Sequence, residues 1–251
     1  MKLDLEGKGI IVTGGSRGIG RAIAHAFADE GSHVAICARG AEDLRATERE
    51  LRERGVEVHA QTCDVSNIEE LNAFLEAARS ALGRVDVLVN NASGFGVTDD
   101  EAGWHVGFQV DVMAAVRATW TVVPWLEEVG GGSIIHISST SGLEAGSPPA
   151  YAAVKAALIS HSKTLAIDLA PRNIRVNCVA PGSIEFPGGL WDTIKGTNTE
   201  RYEAIRASIP FDRLGTAEEV ANAVVFLASG AASWITGATL SVDGGQHKGN
   251  L

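Results

Sequence analysis

The feature that most constrains this chain is a run of glycines set between a strand and a helix. Gly9-Ile10-Ile11-Val12-Thr13 is a short apolar stretch that reads as a buried strand. It leads into Gly14-Gly15-Ser16-Arg17-Gly18-Ile19-Gly20 and then into a helix-forming run from Arg21 to Glu30. A glycine turn in this setting lets backbone N–H groups approach a phosphate, and the helix N-terminus adds a favourable dipole. The spacing, Gly14-xxx-Gly18-x-Gly20, differs from the general G-x-G-x-x-G dinucleotide fingerprint.

The alternation continues along the chain. Strand-like runs fall at 9–13, 33–38, 56–62, 85–90, 133–138, 174–179 and 239–242. Helix-like runs fall between them at 18–30, 41–54, 67–82, 104–128, 150–169 and 217–228. Strands alternating with helices imply parallel pairing and right-handed crossovers. The prediction is an α/β fold: one doubly wound Rossmann-type domain over 1–251, with a parallel sheet of about seven strands and helices on both faces. A chain of 251 residues with 45% hydrophobic content suits one substantial core. Ligands of such sheets sit beyond the carboxyl ends of the strands. Thr13, Asp64, Asn90 and Ser139 all fall at those ends. The stretch 183–210 reads as irregular, rich in Gly, Pro and Thr, and is expected to be a substrate lid.

Charge and composition narrow the function. A net charge of −10 argues against nucleic acid as a partner. No apolar run is long enough to span a bilayer, and Met1 to Glu6 carries no signal-peptide apolar region, so a cytoplasmic protein is expected. Cys37, Cys63 and Cys178 are scattered and odd in number. They read as buried thiols, not as a disulfide or metal set.

Tyr151 and Lys155 stand four residues apart in an Ala-rich segment free of Gly and Pro, which places them on one helix face. A neighbouring cation favours the phenolate of a tyrosine. Lowering a phenol pKa by ~3 units takes about 4 kcal/mol of differential stabilisation. A lone wet lysine does not supply that; a lysine plus a cationic cofactor ring in a dry pocket is the arrangement that would.

These motifs together resemble a short-chain dehydrogenase/reductase along nearly the whole chain. The marks are Thr13-Gly14-xxx-Gly18-x-Gly20, Cys63-Asp64-Val65, Asn90-Asn91-Ala92-Ser93-Gly94, Ile137-Ser138-Ser139, Tyr151-xxx-Lys155, Asn177-x-Val179-Ala180-Pro181-Gly182 and Val242-Asp243-Gly244-Gly245. The likeness is greatest to 3-oxoacyl carrier-protein reductases and many alcohol dehydrogenases. It implies an NAD(P)-dependent oxidoreductase interconverting a ketone or aldehyde and an alcohol. Tyr151 resembles the general acid/base, and Lys155 the residue that lowers its pKa and binds the nicotinamide ribose. A serine at the end of the fifth strand should bond the substrate oxygen. Ser138 lies at the family's usual interval of thirteen before Tyr151, whereas Ser139 fits the strand better and is favoured. Asp111 stands where the family has an asparagine, Ser93 where glycine is usual, and Phe186 near a usual threonine.

The resemblance also places the cofactor on Gly14, Ser16, Arg17, Gly18, Ile19, Gly20, Arg39, Asp64, Val65, Asn91, Ala92, Tyr151, Lys155, Pro181, Gly182 and Ile184. At the end of the second strand, Ala38 replaces the acid that would bind the ribose 2′-OH of NAD, and Arg39 follows it. With Arg17, it suits a 2′-phosphate, so NADP(H) is favoured over NAD(H). Asp64 resembles an adenine contact, with helix capping near Asn67 as its other role. No metal is expected. The alternatives are a non-catalytic cofactor-binding sensor and an NAD-dependent alcohol dehydrogenase. The expected partners are a partly apolar carbonyl or alcohol and a second copy of the chain, in a homodimer or homotetramer.

Overall fold

The computed structural model describes residues 2–249. Its first half alternates strictly: β1 (Gly9–Thr13), α1 (Gly18–Asp29), β2 (His33–Ala38), α2 (Ala41–Arg52), β3 (Val58–Thr62), α3 (Ile68–Leu82) and β4 (Val87–Asn90). Then come α4 (Glu101–Val106), a π-helical segment (Gly107–Met113), α5 (Ala114–Glu128), β5 (Gly132–Ile137), α6 (Pro149–Leu169) and β6 (Ile174–Pro181). The remainder is β7 (Ile184–Glu185), α7 (Leu190–Thr197), α8 (Thr199–Ser208), β8 (Gly215–Thr216), α9 (Ala217–Ala228) and β9 (Thr239–Val242). Seven parallel strands form one sheet, as the alternation predicts, and their order is β3-β2-β1-β4-β5-β6-β9. The strand order reverses between β1 and β4, where open α/β sheets bind ligands.

The central strands are apolar on both faces because both faces are covered. Ile10, Val12, Val34, Ile36 and Val89 pack against α1, α2 and α9. Their alternate neighbours Ile11, Ala35 and Leu88 pack with Ile134 and Val176 against α3, α5 and the end of α6. Burying each large aliphatic or aromatic side chain contributes about 1.5–3 kcal/mol.

Two expectations are corrected. The run 104–128 is not one helix: seven residues, Gly107–Met113, wind as a π-helix between α4 and α5. Such insertions shift side chains off the α-helical register and occur often at functional sites. The stretch after Gly182 is not irregular either. It contains the β7–β8 ladder and helices α7 and α8, which Asn198 separates by capping Arg201 N–H at 3.0 Å. Ile194, Tyr202, Ile209 and Leu214 bury themselves together with Trp191 and Ile205 packed alongside. Glu185 anchors this unit, accepting from Tyr202 Oη at 2.5 Å and pairing with Lys195 at 2.7 Å. The large apolar residues of this segment are thus largely spent on its own small core.

Candidate active site

The glycine turn is built for an anion. Arg17 is the N-cap residue of α1, yet no side chain caps the helix and no acid occupies its first turn. The first N–H groups therefore remain for a ligand. Gly18 has φ +54°, and a Cβ there would meet the Phe186 ring at 2.5 Å. A Cβ on Gly20 would lie 2.2 Å from the Gly14 carbonyl, so only glycine lets the helix start this close to the strand. Asn91 holds the turn: its amide donates to the Thr13 and Gly14 carbonyls at 2.9 and 3.0 Å. The N–H groups of Asn91 and Ala92 donate to Thr13 Oγ1 at 3.0 and 3.2 Å. The Asn91 side chain thus holds the turn. Among the residues described, this cradle fits the pyrophosphate of a dinucleotide.

Beyond the glycine turn, Arg17 and Arg39 are exposed, and neither side chain forms an ion pair or hydrogen bond among the described residues. Asp64 does not cap α3. Asn67 takes that place, accepting from the N–H groups of Glu69 and Glu70. The Asp64 carboxylate accepts from the Ser66 hydroxyl at 2.7 Å and its N–H at 3.0 Å. These bonds hold its pKa down, with the Arg39 charge adding a smaller contribution. Ser16 is half-buried, and its carbonyl accepts from the Thr47 hydroxyl at 3.1 Å. The side chains of Val65 and Ile184 lie in the hydrophobic core, which leaves their main chains for any cofactor contact.

A second cluster of candidate site residues forms around Lys155. Its side chain is 2% exposed, and Nζ lies 5.5 Å from the centroid of the Tyr151 ring. Asp111, wholly buried in the π-helical segment, pairs with Lys155 Nζ at 2.8 Å. Nζ also donates to the Ile137 carbonyl at 3.2 Å. Burial alone would lower the Lys155 pKa, but the nearby Asp111 and Tyr151 raise it. The other Asp111 oxygen accepts from Gly94 N–H at 2.9 Å. The next residue, Phe95, has φ +50° and stacks on Tyr151 with ring centroids 5.7 Å apart.

The two serines separate here. Ser138 is 3% exposed and donates its hydroxyl to the Lys155 carbonyl at 2.8 Å. Ser139 is 9% exposed, and its Oγ accepts from Ser141 N–H at 3.1 Å, which leaves its hydroxyl hydrogen for a ligand. Pro181 ends β6, and a Cβ on Gly182 would lie 2.7 Å from both Asp243 Cβ and Gln246 Oε1. An open concavity of about 890 Å³ lies over the outer side of α1, reaching Arg17, Gly18 and Phe186. None of Tyr151, Lys155 or Ser139 lines it, so it is not where carbonyl chemistry would occur.

Comparison with known proteins agrees with this geometry. Residues 14–247 match the family model described as enoyl-(acyl carrier protein) reductase. The chain belongs to the short-chain dehydrogenase/reductase family. As a short-chain dehydrogenase/reductase it is an NAD(P)-dependent oxidoreductase. Isoepoxydon dehydrogenase patN of Penicillium expansum is 38% identical, covering 98% of this chain and 96% of that one. A structure of 7 alpha-hydroxysteroid dehydrogenase complexed with NADH and 7-oxo glycochenodeoxycholic acid superimposes with a TM-score of 0.90 at 36% identity, covering 97% and 96% of the two chains. L-sorbose reductase of Gluconobacter frateurii, complexed with NADPH and L-sorbose, gives 0.92 at 37% identity, covering 99% and 100%.

Two features of this short-chain dehydrogenase/reductase escaped sequence reasoning. The Gln246 side chain pins the start of the 183–210 segment, accepting from Ser183 N–H at 2.8 Å and donating to Ser183 Oγ at 3.0 Å. His247 meets Glu144 at 3.1 Å, tying the C-terminal segment to the loop before α6. No local spacing signals contacts between positions so far apart in the chain.

Proposed function

We propose that the chain interconverts a ketone or aldehyde and the corresponding alcohol, with NADP(H) favoured over NAD(H). The observation that carries this reading is Lys155 Nζ, buried 5.5 Å from the Tyr151 ring, with the free hydroxyl of Ser139 at the end of the adjoining strand. A bound nicotinamide would supply or accept the hydride. Tyr151 gives its phenolic proton to the carbonyl oxygen in reduction and takes the alcohol proton in oxidation. Ser139 donates to that oxygen and holds it in place. Lys155 stabilises the phenolate and holds the nicotinamide ribose. The assigning experiment follows NADPH absorbance across a panel of ketones and alcohols; turnover of none of them would overturn this reading.

The cofactor preference rests on Ala38 and on the unpaired Arg17 and Arg39. A planar guanidinium suits a phosphate through paired hydrogen bonds, and a carboxylate in place of Ala38 would repel it. Direct titration is expected to give tighter binding of NADPH than of NADH. Ala38→Asp is expected to reverse that order. Equal or tighter NADH binding by the wild type would refute the assignment. The relatives do not decide the matter, since one was solved with NADH and another with NADPH.

The substrate is proposed to be partly apolar, and the surface that favours this lies on the segment after β4. Phe95, Val97 and Phe108 are all exposed there, with Trp104 stacked beside Phe108. Across a homologous ketone series, each buried methylene should add about 0.8 kcal/mol to transition-state binding. Phe95→Ala is expected to flatten that gradient in kcat/KM. A gradient unchanged by the substitution would remove Phe95 from the pocket. A second copy of the chain is proposed as partner, because Trp120 on α5 and Ile167 on α6 are 66% and 70% exposed. Such apolar helix faces pair readily across a two-fold axis.

A further inference from the structure

A lysine beside a tyrosine acts on it only with the charge its surroundings leave uncancelled. Here the lysine is not alone. Lys155 and Asp111 form an ion pair at 2.8 Å, and both side chains are almost fully withdrawn from water. Solvent screens such a pair little, so the carboxylate opposes the effect of the ammonium on Tyr151. We propose that Asp111 sets the pH at which Tyr151 ionises, by partly cancelling the charge of Lys155 within this buried pair. The inference rests on the acid/base reading of Tyr151 for its relevance to catalysis, but the ionisation itself is measurable without turnover.

The other titratable groups around α6 do not supply this control. Cys178 on β6 faces Lys155, but burial pushes its thiol up to about 12. His136 on β5 is fully buried beside His161 of α6 and is pushed down to about 3, so it stays neutral. His161 is itself lowered by burial. Glu101 and His105 on α4 are exposed, as is Glu144, which pairs with His247. Ser138, Ser139 and Ser141, between β5 and α6, carry no charge. Asp111 is thus the one buried carboxylate against Lys155 among the described residues. It is a positioning residue as well, since it also holds Gly94 N–H at 2.9 Å, next to the phenylalanine stacked on Tyr151.

The composition of the chain makes a direct test possible. It has only two tyrosines. Tyr202 donates to Glu185 and is pushed above the usual phenol range by that bond, so it ionises late. Phenolate absorbance near 295 nm in the cofactor-free protein follows both phenols, and the difference between wild type and Tyr151→Phe isolates the contribution of Tyr151. Asp111→Asn keeps the shape and removes the charge. At an effective dielectric near 20, a unit charge roughly 6–10 Å from a phenol is worth about 1–2 pH units. The Tyr151 midpoint is expected to fall by that amount in Asp111→Asn, and the rising limb of the oxidation pH profile should move with it. Asp111→Ser, smaller and also neutral, gives the same reading should the Asn variant not fold. Asp111→Glu keeps the charge but strains the packing, and its midpoint should stay near that of wild type. A neutral variant whose midpoint is unchanged or higher overturns the proposal. So does an equal downward shift in Asp111→Glu, which would assign the effect to packing. An active Tyr151→Phe variant would instead overturn the acid/base assignment and leave the titration result standing.

Discussion

Tyr151→Phe is expected to reduce kcat by ~10²–10⁴-fold, the usual range for loss of a general acid/base. That corresponds to about 3–5.5 kcal/mol of transition-state stabilisation. The fold should scarcely notice. The Tyr151 hydroxyl makes no hydrogen bond among the described residues, and the ring contact with Phe95 at 5.7 Å survives in phenylalanine. Thermal unfolding should therefore shift by less than about 1 kcal/mol. Cofactor titration should give a dissociation constant close to that of wild type. Single-turnover kinetics with NADPH and a reactive ketone would check the loss. A variant running at the wild-type rate would remove Tyr151 from the chemistry.

Lys155→Met should be the more damaging change, because it affects both fold and function. The side chain carries its charge at 2% exposure, held by Asp111 at 2.8 Å and the Ile137 carbonyl at 3.2 Å. Methionine fills similar space but leaves Asp111 buried with Gly94 N–H as its remaining partner. Breaking a buried pair from one side typically costs about 3–5 kcal/mol, since the surviving charge has no water to turn to. For a chain of this size that is a fall in Tm on the order of 10 °C. Replacing both partners by apolar groups of similar volume is often neutral, so Lys155→Met/Asp111→Leu should recover much of the lost stability. Activity should not return with it, because nothing then stabilises the phenolate. Calorimetry of the three proteins checks the first claim, and turnover checks the second. A double variant as unstable as the single one would mean that shape, not charge, governs this site.

Much of the fold was legible because it is written locally. Strand-length apolar runs alternate with helix-length ones, and a short connection between them leaves parallel pairing as the consistent outcome. The lid is an instructive failure. Its glycines and threonines suggested an irregular segment, although Asn198 before Thr199-Glu200-Arg201 is a readable helix start. What stabilises α7 and α8 is a small cluster reaching Leu214, beyond the segment itself. The π-helical turn was invisible for a related reason. Its sequence suits an α-helix, and a change of register is decided by what the segment packs against.

By itself, then, the sequence determined the glycine turn, the order of strands and helices, and the shared face of Tyr151 and Lys155. Each depends on residues within a few positions of one another, where backbone geometry leaves few choices. Only the tertiary structure decided which serine is free, what Asp111 touches, and which rings cover the site. Ser138 is engaged by the Lys155 carbonyl of a different element, and Asp111 joins the π segment to α6 and to the turn after β4. Phe186 lies on Gly18, and Phe95 on Tyr151, each joining residues of different elements far apart in the chain. Such contacts are set by how the helices pack on the sheet, and side-chain periodicity along any one element carries no record of its neighbour.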